Sequence, residues 1–147
     1  MDSFFTETEA KAWGGLISAY SRLSGLLEDD LRRNSGLSRA EYEVLLRLFF
    51  NVEGRLRITE IADQSFLTRS GISRLVDRLE GAGLVERHGD EYDKRGAYAA
   101  ITEHGRDHFL ATATRHTALV RERFLSHFSN EEQQTMASFW DRLHKNE

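Results

Sequence analysis

The sequence has no cysteine, no proline and no long apolar run. Without cysteine it can form no disulfide, no thiolate zinc site and no peroxide sensor that depends on a reactive thiol. No apolar run approaches the roughly 18 residues that a membrane span needs. The N-terminal residues MDSFFTETEA also lack the basic start and hydrophobic block of a signal peptide. We therefore expect a cytoplasmic protein.

The composition of the 147 residues, 39% hydrophobic and 30% charged, is typical of one soluble domain. The formal net charge of −4 disfavours a nucleic-acid partner, because neutralisation of phosphates drives non-specific affinity. Local distribution matters more than the total. Acidic residues gather at positions 7–9, 28–30 and 131–132, whereas basic residues gather elsewhere, at Arg55, Arg57, Arg69, Arg74, Arg78, Lys94 and Arg95. This pattern predicts a dipolar protein with one basic docking face.

One helix is marked at both ends and along its length. Its apolar positions recur with the spacing i, i+3, i+4 and i+7, at Ile72, Leu75, Val76 and Leu79. Polar and charged residues take the opposite face, at Arg69, Ser70, Ser73, Arg74, Asp77 and Arg78. Thr68 can cap the N-terminus, and Gly83 can adopt the left-handed conformation that ends the helix.

The neighbouring segments predict a winged helix-turn-helix. A short apolar pattern at Ile58, Ile61 and Ala62, which Thr59 can cap, is followed by a tight turn at 64–67. Downstream, two β-tolerant runs at 84–88 and 98–102 flank a charged loop with a glycine at each end, which favours a hairpin.

Amphipathic helices are predicted on both sides of this segment. The first runs from about Glu7 to Arg33, with a Gly14-Gly15 pair that could permit a bend or a close contact. The second starts at a capping box of Ser38 and Glu41 and runs to about Asn51. After the hairpin, one helix runs from a Thr102 cap to about Phe128, and a last helix follows a Ser129–Glu132 capping box. The fold class is mainly α with a small β-hairpin wing.

The segment resembles the DNA-binding lobe of the MarR family of bacterial transcriptional regulators. The resemblance rests on the run ISRLVDRLEGAGLVER at 72–87, the D-x-R of the wing at Asp93 and Arg95, and I-T-x-x-G at 101–105. It implies an N-terminal dimerisation helix at 1–36, a winged helix-turn-helix lobe at 37–102 and C-terminal dimerisation helices at 103–147. A chain this short cannot cover all its apolar stripes alone, and a two-fold interface would cover them. The alternative is a monomer with a six-helix core.

The marked helix is the candidate for insertion in a DNA major groove, where arginine can donate two hydrogen bonds to guanine. The predicted DNA-binding residues are Ser65, Thr68, Arg69, Ser70, Ser73, Arg74, Arg78, Asp93, Lys94 and Arg95. Among them, Arg78 is expected to reach a phosphate. The alternative is a solvated face with ordinary charge pairs such as Arg74 with Asp77.

In the wing, Arg95 resembles the family arginine that enters a narrow minor groove, and Asp93 could orient it by a charge-assisted bond. The alternative is a flexible charged loop. Two lobes related by a two-fold axis would read a pseudo-palindrome with half-sites roughly 34 Å apart. Repression is the default output, although the same contacts could activate.

Family members often release DNA when a small aromatic molecule binds, and Trp13, Tyr20 and Tyr42 are candidates to line such a pocket. Aromatic residues at helical spacing are more often plain core. His104 and His108, four residues apart, suggest a metal-responsive regulator as an alternative, with His116 further along. The main interpretation includes no metal site and no cofactor.

Two other functional classes compete with a DNA-binding repressor released by an effector. One is a winged-helix module that binds proteins and no longer binds DNA, which the acidic balance favours. The other is an enzyme, but the sequence has no nucleophile motif, no glycine-rich phosphate loop and no H-E-x-x-H helix. We expect no catalytic activity.

Overall fold

The computed structural model describes residues 4–64, 69–89 and 96–145, without the side chain of Arg69. The elements in chain order are α1 (Glu7–Ser35), α2 (Arg39–Phe50), β1 (Arg55–Arg57), α3 (Ile58–Asp63), α4 (Arg69–Gly81), β2 (Val85–Gly89), β3 (Ala97–Ile101), α5 (Glu103–Arg123), a 3₁₀ turn (Leu125–His127) and α6 (Asn130–His144). The winged helix-turn-helix order is confirmed. No helix in the described ranges is long and apolar enough to cross a membrane.

The contacts between residues divide the chain into two compact units. The central unit is Glu28–Thr114, and the terminal unit combines Met1–Leu27 with Arg115–Glu147. α1 and α5 each contribute residues to both units.

The central unit contains every fully buried apolar side chain among the described residues. Its core consists of Leu31, Leu37, Tyr42, Val44, Leu45, Leu48, Ile61, Ala62, Ile72, Leu75, Val76, Leu79, Leu84, Val85, Ala99, Ile101 and Phe109. The predicted stripe of α4 is confirmed, since all four of its members are at most 2% exposed. Burying each such side chain stabilises the fold by about 1.5–3 kcal/mol. The buried stripe therefore fixes which face of α4 is left for solvent.

α4 ends as its glycine predicts. Gly83 has a φ of +73°, the left-handed conformation that glycine adopts without steric cost. The Gly83 N–H donates to the Glu80 carbonyl at 2.9 Å, and the Leu84 N–H donates to the Leu79 carbonyl at 3.0 Å. These two bonds form a Schellman motif, in which the buried Leu79 and Leu84 supply the accompanying apolar pair. The motif turns the chain from α4 directly into β2.

The sheet has three strands where the sequence predicted two. β1 pairs antiparallel with β3, and β3 pairs antiparallel with β2, so the order is β1-β3-β2. β1 is only three residues long, and two alternations are too few to give a period of 2. Its pairing partner lies more than forty residues away, as Arg57 opposite Tyr98 illustrates. This strand could not be predicted from local pattern.

Two helix boundaries differ from the prediction. α3 begins at Ile58, so Thr59 is inside its first turn and is not the cap; the Arg57 N–H instead donates to the Glu60 carboxylate at 2.8 Å. The helix predicted to reach Phe128 ends at Arg123 and is followed by the 3₁₀ turn. Phe124 leaves the helical region with φ −131° and ψ −66°, which breaks the ladder there.

The starts of α2 and α6 follow the sequence, whereas the Thr68 cap predicted for α4 lies outside the described residues. Ser38 with Glu41, and Ser129 with Glu132, each form a capping box with both reciprocal bonds present. α1 continues through Gly14-Gly15, and a β-carbon added at either glycine would have no atom of the described residues within 4 Å beyond its own helix backbone.

The I-T-x-x-G segment has a packing explanation. The Thr102 hydroxyl accepts from the Gly105 N–H at 2.9 Å and donates to the Gly83 carbonyl at 2.7 Å. A β-carbon on Gly105 would overlap the carbonyl oxygen of Leu84. Thr102 therefore caps α5, and the glycine lets the helix approach the start of β2.

Candidate nucleic-acid interface

The exposed face of α4 is the centre of the candidate interface. Ser70 and Arg74 are both exposed there. In the described part of the chain, the ion pairs of this helix involve Asp77 and Arg78 and not Arg74. The alternative pair of Arg74 with Asp77 is therefore not formed. The Arg74 side chain is exposed to solvent, and the opposite face of its helix is buried in the core.

Ser73, a third candidate, is engaged within the protein. Its hydroxyl oxygen accepts from Arg87 Nη2 at 3.3 Å, and its backbone carbonyl accepts from the same nitrogen at 3.1 Å. The same Arg87 nitrogen lies 2.6 Å from Asp77 Oδ1. The Ser73 hydroxyl is thus held against β2. Its oxygen accepts from Arg87, and its hydrogen can still be donated to another acceptor.

Arg78 is also engaged, on the other side of α4. Its Nε donates to Glu41 Oε1 of α2 at 2.8 Å. The Arg78 side chain is nevertheless 61% exposed. Because only Nε is used in this pair, the two terminal nitrogens can still meet a phosphate, as predicted for this residue.

The two arginines of β1 flank one aromatic ring. The guanidinium carbons of Arg55 and Arg57 lie 5.5 and 5.0 Å from the centroid of the Tyr98 ring. Arg55 also pairs with Glu53, with Nε 2.9 Å from Oε2. In register, Arg57, Tyr98 and His88 occupy facing positions of the three strands. Arg55 and Arg57, which precede α3 in the sequence, are thus part of the three-stranded sheet.

Several predicted site residues lie outside the described ranges. They are Ser65, Thr68, Asp93, Lys94 and Arg95, together with the side chain of Arg69. The described ends of the wing, β2 to Gly89 and β3 from Ala97, flank the segment that carries three of them. Their roles stay predictions.

The three aromatic effector candidates belong to two different units. Tyr42 is a core residue of the central unit, 8% exposed and stacked on Phe109 with ring centroids 5.5 Å apart. Burial raises the pKa of its hydroxyl. Trp13 and Tyr20 belong to the terminal unit and are more than half exposed. Of the three, Tyr42 fits the plain-core alternative.

A groove of about 510 Å³ lies within the terminal unit. Its lining is Ala12, Gly15, Leu16, Ala19, Phe124, Phe128, Glu132, Thr135, Met136, Phe139 and Trp140. Neither Trp13 nor Tyr20 is part of it. The groove is almost entirely apolar, as the inner side of an interface would be.

The two histidines of the metal-responsive alternative both lie on α5. The ring centroids of His104 and His108 are 6.2 Å apart, and His108 Nε2 lies 2.9 Å from the Ser35 carbonyl oxygen. Because a carbonyl only accepts, His108 donates through Nε2, which is then unable to bind a metal. No group of three or more His, Cys, Asp or Glu side chains that could hold a metal occurs within the described ranges.

Arg87 is the residue that the sequence interpretation missed. It stands opposite Ala99 in the β2–β3 register, and Ala99 is fully buried, so Arg87 projects from the inner face of the sheet. A signal was present: Val85, Arg87 and Gly89 share one face of a strand, and an arginine at an inward position needs acceptors. Ser73 and Asp77, one helical turn apart on α4, supply them.

A helix-turn-helix that leads into a three-stranded wing, with serine and arginine on the open face of its second helix, defines the winged-helix class. Comparison with known proteins makes the assignment specific. A family model described as MarR family matches residues 35–96. The structure of AbsC, a MarR family transcriptional regulator from Streptomyces coelicolor, is 30% identical with a TM-score of 0.89, over 99% of this chain and 97% of that one. This chain belongs to the MarR family.

Two further relatives extend the comparison. Sco3205, a MarR family transcriptional regulator from Streptomyces coelicolor solved in complex with DNA, is 30% identical with a TM-score of 0.90, over 99% of this chain and 91% of that one. The exopolysaccharide II synthesis transcriptional activator ExpG of Rhizobium meliloti is 29% identical over 139 residues, which are 88% of this chain and 70% of that protein. These relatives are transcriptional regulators and not enzymes.

Proposed function

We propose that this MarR-family chain is a transcriptional regulator that binds double-stranded DNA sequence-specifically, as a homodimer, with α4 in the major groove. The observation that carries the proposal is which face of α4 is buried and which is exposed. Its apolar face is fully buried, whereas Ser70 and Arg74 are exposed side by side on the opposite face. An arginine held in this way can read guanine through two hydrogen bonds.

The surrounding basic residues supply the contacts that position the protein on DNA. Arg78 keeps two terminal nitrogens for a phosphate. Arg95 is proposed to enter the minor groove beside α4, and Lys94 to add a further DNA contact from the wing. These local charges support DNA binding in spite of the net charge of −4. The predicted consequence is strong salt dependence, since each phosphate contact releases counterions.

The terminal unit supports the homodimer. No described residue of this unit is fully buried, although it carries large apolar side chains on α1 and α6. They include Trp13, Leu16, Ile17, Tyr20, Phe139, Trp140 and Leu143. A large exposed apolar surface marks an interaction site, and a second copy with the same surface would cover it. The paired lobes would then read half-sites roughly 34 Å apart.

Repression by occupancy of a promoter is the proposed output, exerted in the cytoplasm, where bacterial DNA resides. Activation is the alternative, and the similarity to a protein named as an activator gives it weight. Release by a small aromatic effector stays a prediction, with Trp13 and Tyr20 as the exposed candidates. A transcription assay with and without the protein measures the sign directly.

The test of DNA binding is a titration of the purified protein against the promoter region of its own gene. An unrelated duplex of equal length is the control, and both are measured at two salt concentrations. Tight, salt-sensitive binding that prefers the promoter supports the proposal. A randomised duplex pool replaces the promoter if both bind equally weakly. Failure to enrich any duplex at low salt would favour the protein-interaction alternative.

A further inference from the structure

The guanidinium of Arg87 connects the recognition helix to the wing. Three acceptors of α4 surround its Nη2 group: the Ser73 carbonyl at 3.1 Å, the Ser73 hydroxyl at 3.3 Å and Asp77 Oδ1 at 2.6 Å. Ser73 and Asp77 are four residues apart, so they lie on the same face of the helix. A single side chain from β2 therefore holds two successive turns of α4.

The Arg87 contacts do not serve stability efficiently. The side chain is 28% exposed, and its Nε is buried without a hydrogen-bond partner among the described residues. The buried, unpaired Nε costs free energy, and an ion pair with the largely exposed Asp77 contributes little to stability. An apolar side chain of similar length would fill the same space without this penalty. What the arginine adds is a fixed geometry between α4 and the wing.

From these contacts we infer that Arg87 is a positioning residue for DNA recognition. It sets the rotation of α4 on the sheet, so that Ser70 and Arg74 meet base edges while the wing meets the adjacent groove. The inference rests on the proposed DNA binding. Arg87 itself faces Ser73 and Asp77 and does not contact DNA while it holds them.

Arginine suits this role better than lysine. A guanidinium is planar with five donors on three nitrogens. Both terminal nitrogens of Arg87 reach the Ser73 hydroxyl oxygen, Nη1 at 3.5 Å and Nη2 at 3.3 Å, while Nη2 also reaches the Ser73 carbonyl and Asp77. A lysine at position 87 would provide one point charge on a flexible stem. It would keep the attraction to Asp77 and lose part of the geometry.

Three variants and one control test the inference. Arg87→Met removes the donors and keeps the length, Arg87→Lys keeps the charge, and Asp77→Asn changes an acceptor that is 62% exposed, outside the core. The control is Arg33→Met, at an exposed arginine of the same unit near the end of α1. Each is titrated against a duplex selected from a random pool by the wild-type protein, and against an unrelated duplex of equal length.

Arg87→Met should raise the Kd for the selected duplex about 10- to 100-fold, as expected for lost charge-assisted bonds. Its affinity for the unrelated duplex should stay within about twofold, and its salt slope should match the wild type. Arg87→Lys should lose less affinity for the selected duplex than Arg87→Met, and Asp77→Asn should also lose affinity for it. Arg33→Met should bind as the wild type does. A merely structural role would lower binding to both duplexes equally, because it would only reduce the folded fraction.

Two results would overturn the inference. One is unchanged discrimination in Arg87→Met; the other is a salt slope reduced by about 1, which would mean that Arg87 itself contacts a phosphate. Should the wild-type protein select no duplex, both the proposed function and the recognition role fail. Amide hydrogen exchange in α4 then decides separately whether Arg87 holds the helix, because Arg87→Met and Asp77→Asn should both accelerate it and Arg33→Met should not.

Discussion

Glu41 of α2 and Arg78 of α4 are joined across the central unit by an ion pair, with Oε1 2.8 Å from Nε. The second oxygen of the same carboxylate accepts from the Ser38 N–H, also at 2.8 Å. Glu41 is 8% exposed. Burial raises the pKa of this carboxyl, but the hydrogen bonds from Arg78 and Ser38 and the charge of Arg78 together bring the pKa below its ordinary value. One carboxylate thus caps α2 and anchors α4.

The lowered pKa of Glu41 predicts a specific loss of stability in acid. In the unfolded chain the pKa returns to about 4.5. A depressed folded pKa contributes stability that is present above this value and is lost as the pH falls through the folded pKa. As the pH falls below this unfolded value and through the lowered folded pKa, the wild type should therefore lose more stability than Glu41→Gln. At pH 7 the variant should be less stable by about 1–2 kcal/mol.

Urea unfolding at a series of pH values measures both effects. Glu43→Gln is the matched control, because Glu43 is an exposed carboxyl on the same helix. It should follow the wild-type curve throughout. Parallel stability curves for Glu41→Gln and the wild type would show that this carboxylate is not responsible.

The sequence predicted those features that depend on local pattern. The stripe of α4, its Gly83 terminus and both capping boxes need only spacing and side-chain chemistry within one element, and all are present. Two features that it did not predict depend on partners in other elements of the fold. β1 forms only against β3, and the acceptors of Arg87 come from another element.

The candidate site divides in the same way. Its exposed residues, Ser70 and Arg74, could be identified from helical periodicity. The ion pair of Arg78 could not be identified in this way, because its partner Glu41 is 37 residues away. From the sequence, Glu41 could equally have been only the capping residue of α2. Which arginine is open and which is paired is thus decided by tertiary packing.

Gly105 should be intolerant of any side chain. A β-carbon there would overlap the Leu84 carbonyl oxygen and press on Ile101. Leu84 directly precedes β2, and Ile101 is the last residue of β3. Gly105→Ala should therefore destabilise the protein by about 1–3 kcal/mol, as overpacking does elsewhere. Thermal unfolding measures the loss.

Gly81→Ala is the control of opposite sign. Among the described residues, nothing beyond the backbone of α4 itself lies within 4 Å of the position that its β-carbon would take. Alanine also favours helix over glycine by up to about 1 kcal/mol. Gly81→Ala should therefore raise the melting temperature, and equal shifts for the two variants would contradict the packing explanation.

The apolar surface of the terminal unit predicts a concentration-dependent fold. If a second copy covers it, the melting temperature should rise with protein concentration, because folding and association are linked. Phe139→Asp places a charge where Phe139 is 46% exposed, and should weaken self-association at least about tenfold. Sedimentation velocity at several concentrations measures both species.

Val52→Asp is the control for that substitution. Val52 is a fully exposed apolar residue of the central unit, so the same charge should leave self-association unchanged. A wild-type protein that sediments as a single chain at micromolar concentration, with a constant melting temperature, would contradict the dimer.

Arg74 should separate recognition from stability. The ion pairs of α4 are formed by Asp77 and Arg78. Truncation of Arg74 therefore breaks no ion pair among the described residues. Arg74→Ala should leave thermal unfolding unchanged and weaken binding to a selected duplex about 10- to 100-fold, the discrimination expected of one bidentate base contact. Arg33→Ala removes the same charge from the end of α1 and should cost little. If Arg74 touches only phosphate, its loss would weaken all duplexes equally and lower the salt slope by about 1, so that base recognition would have to come from other residues.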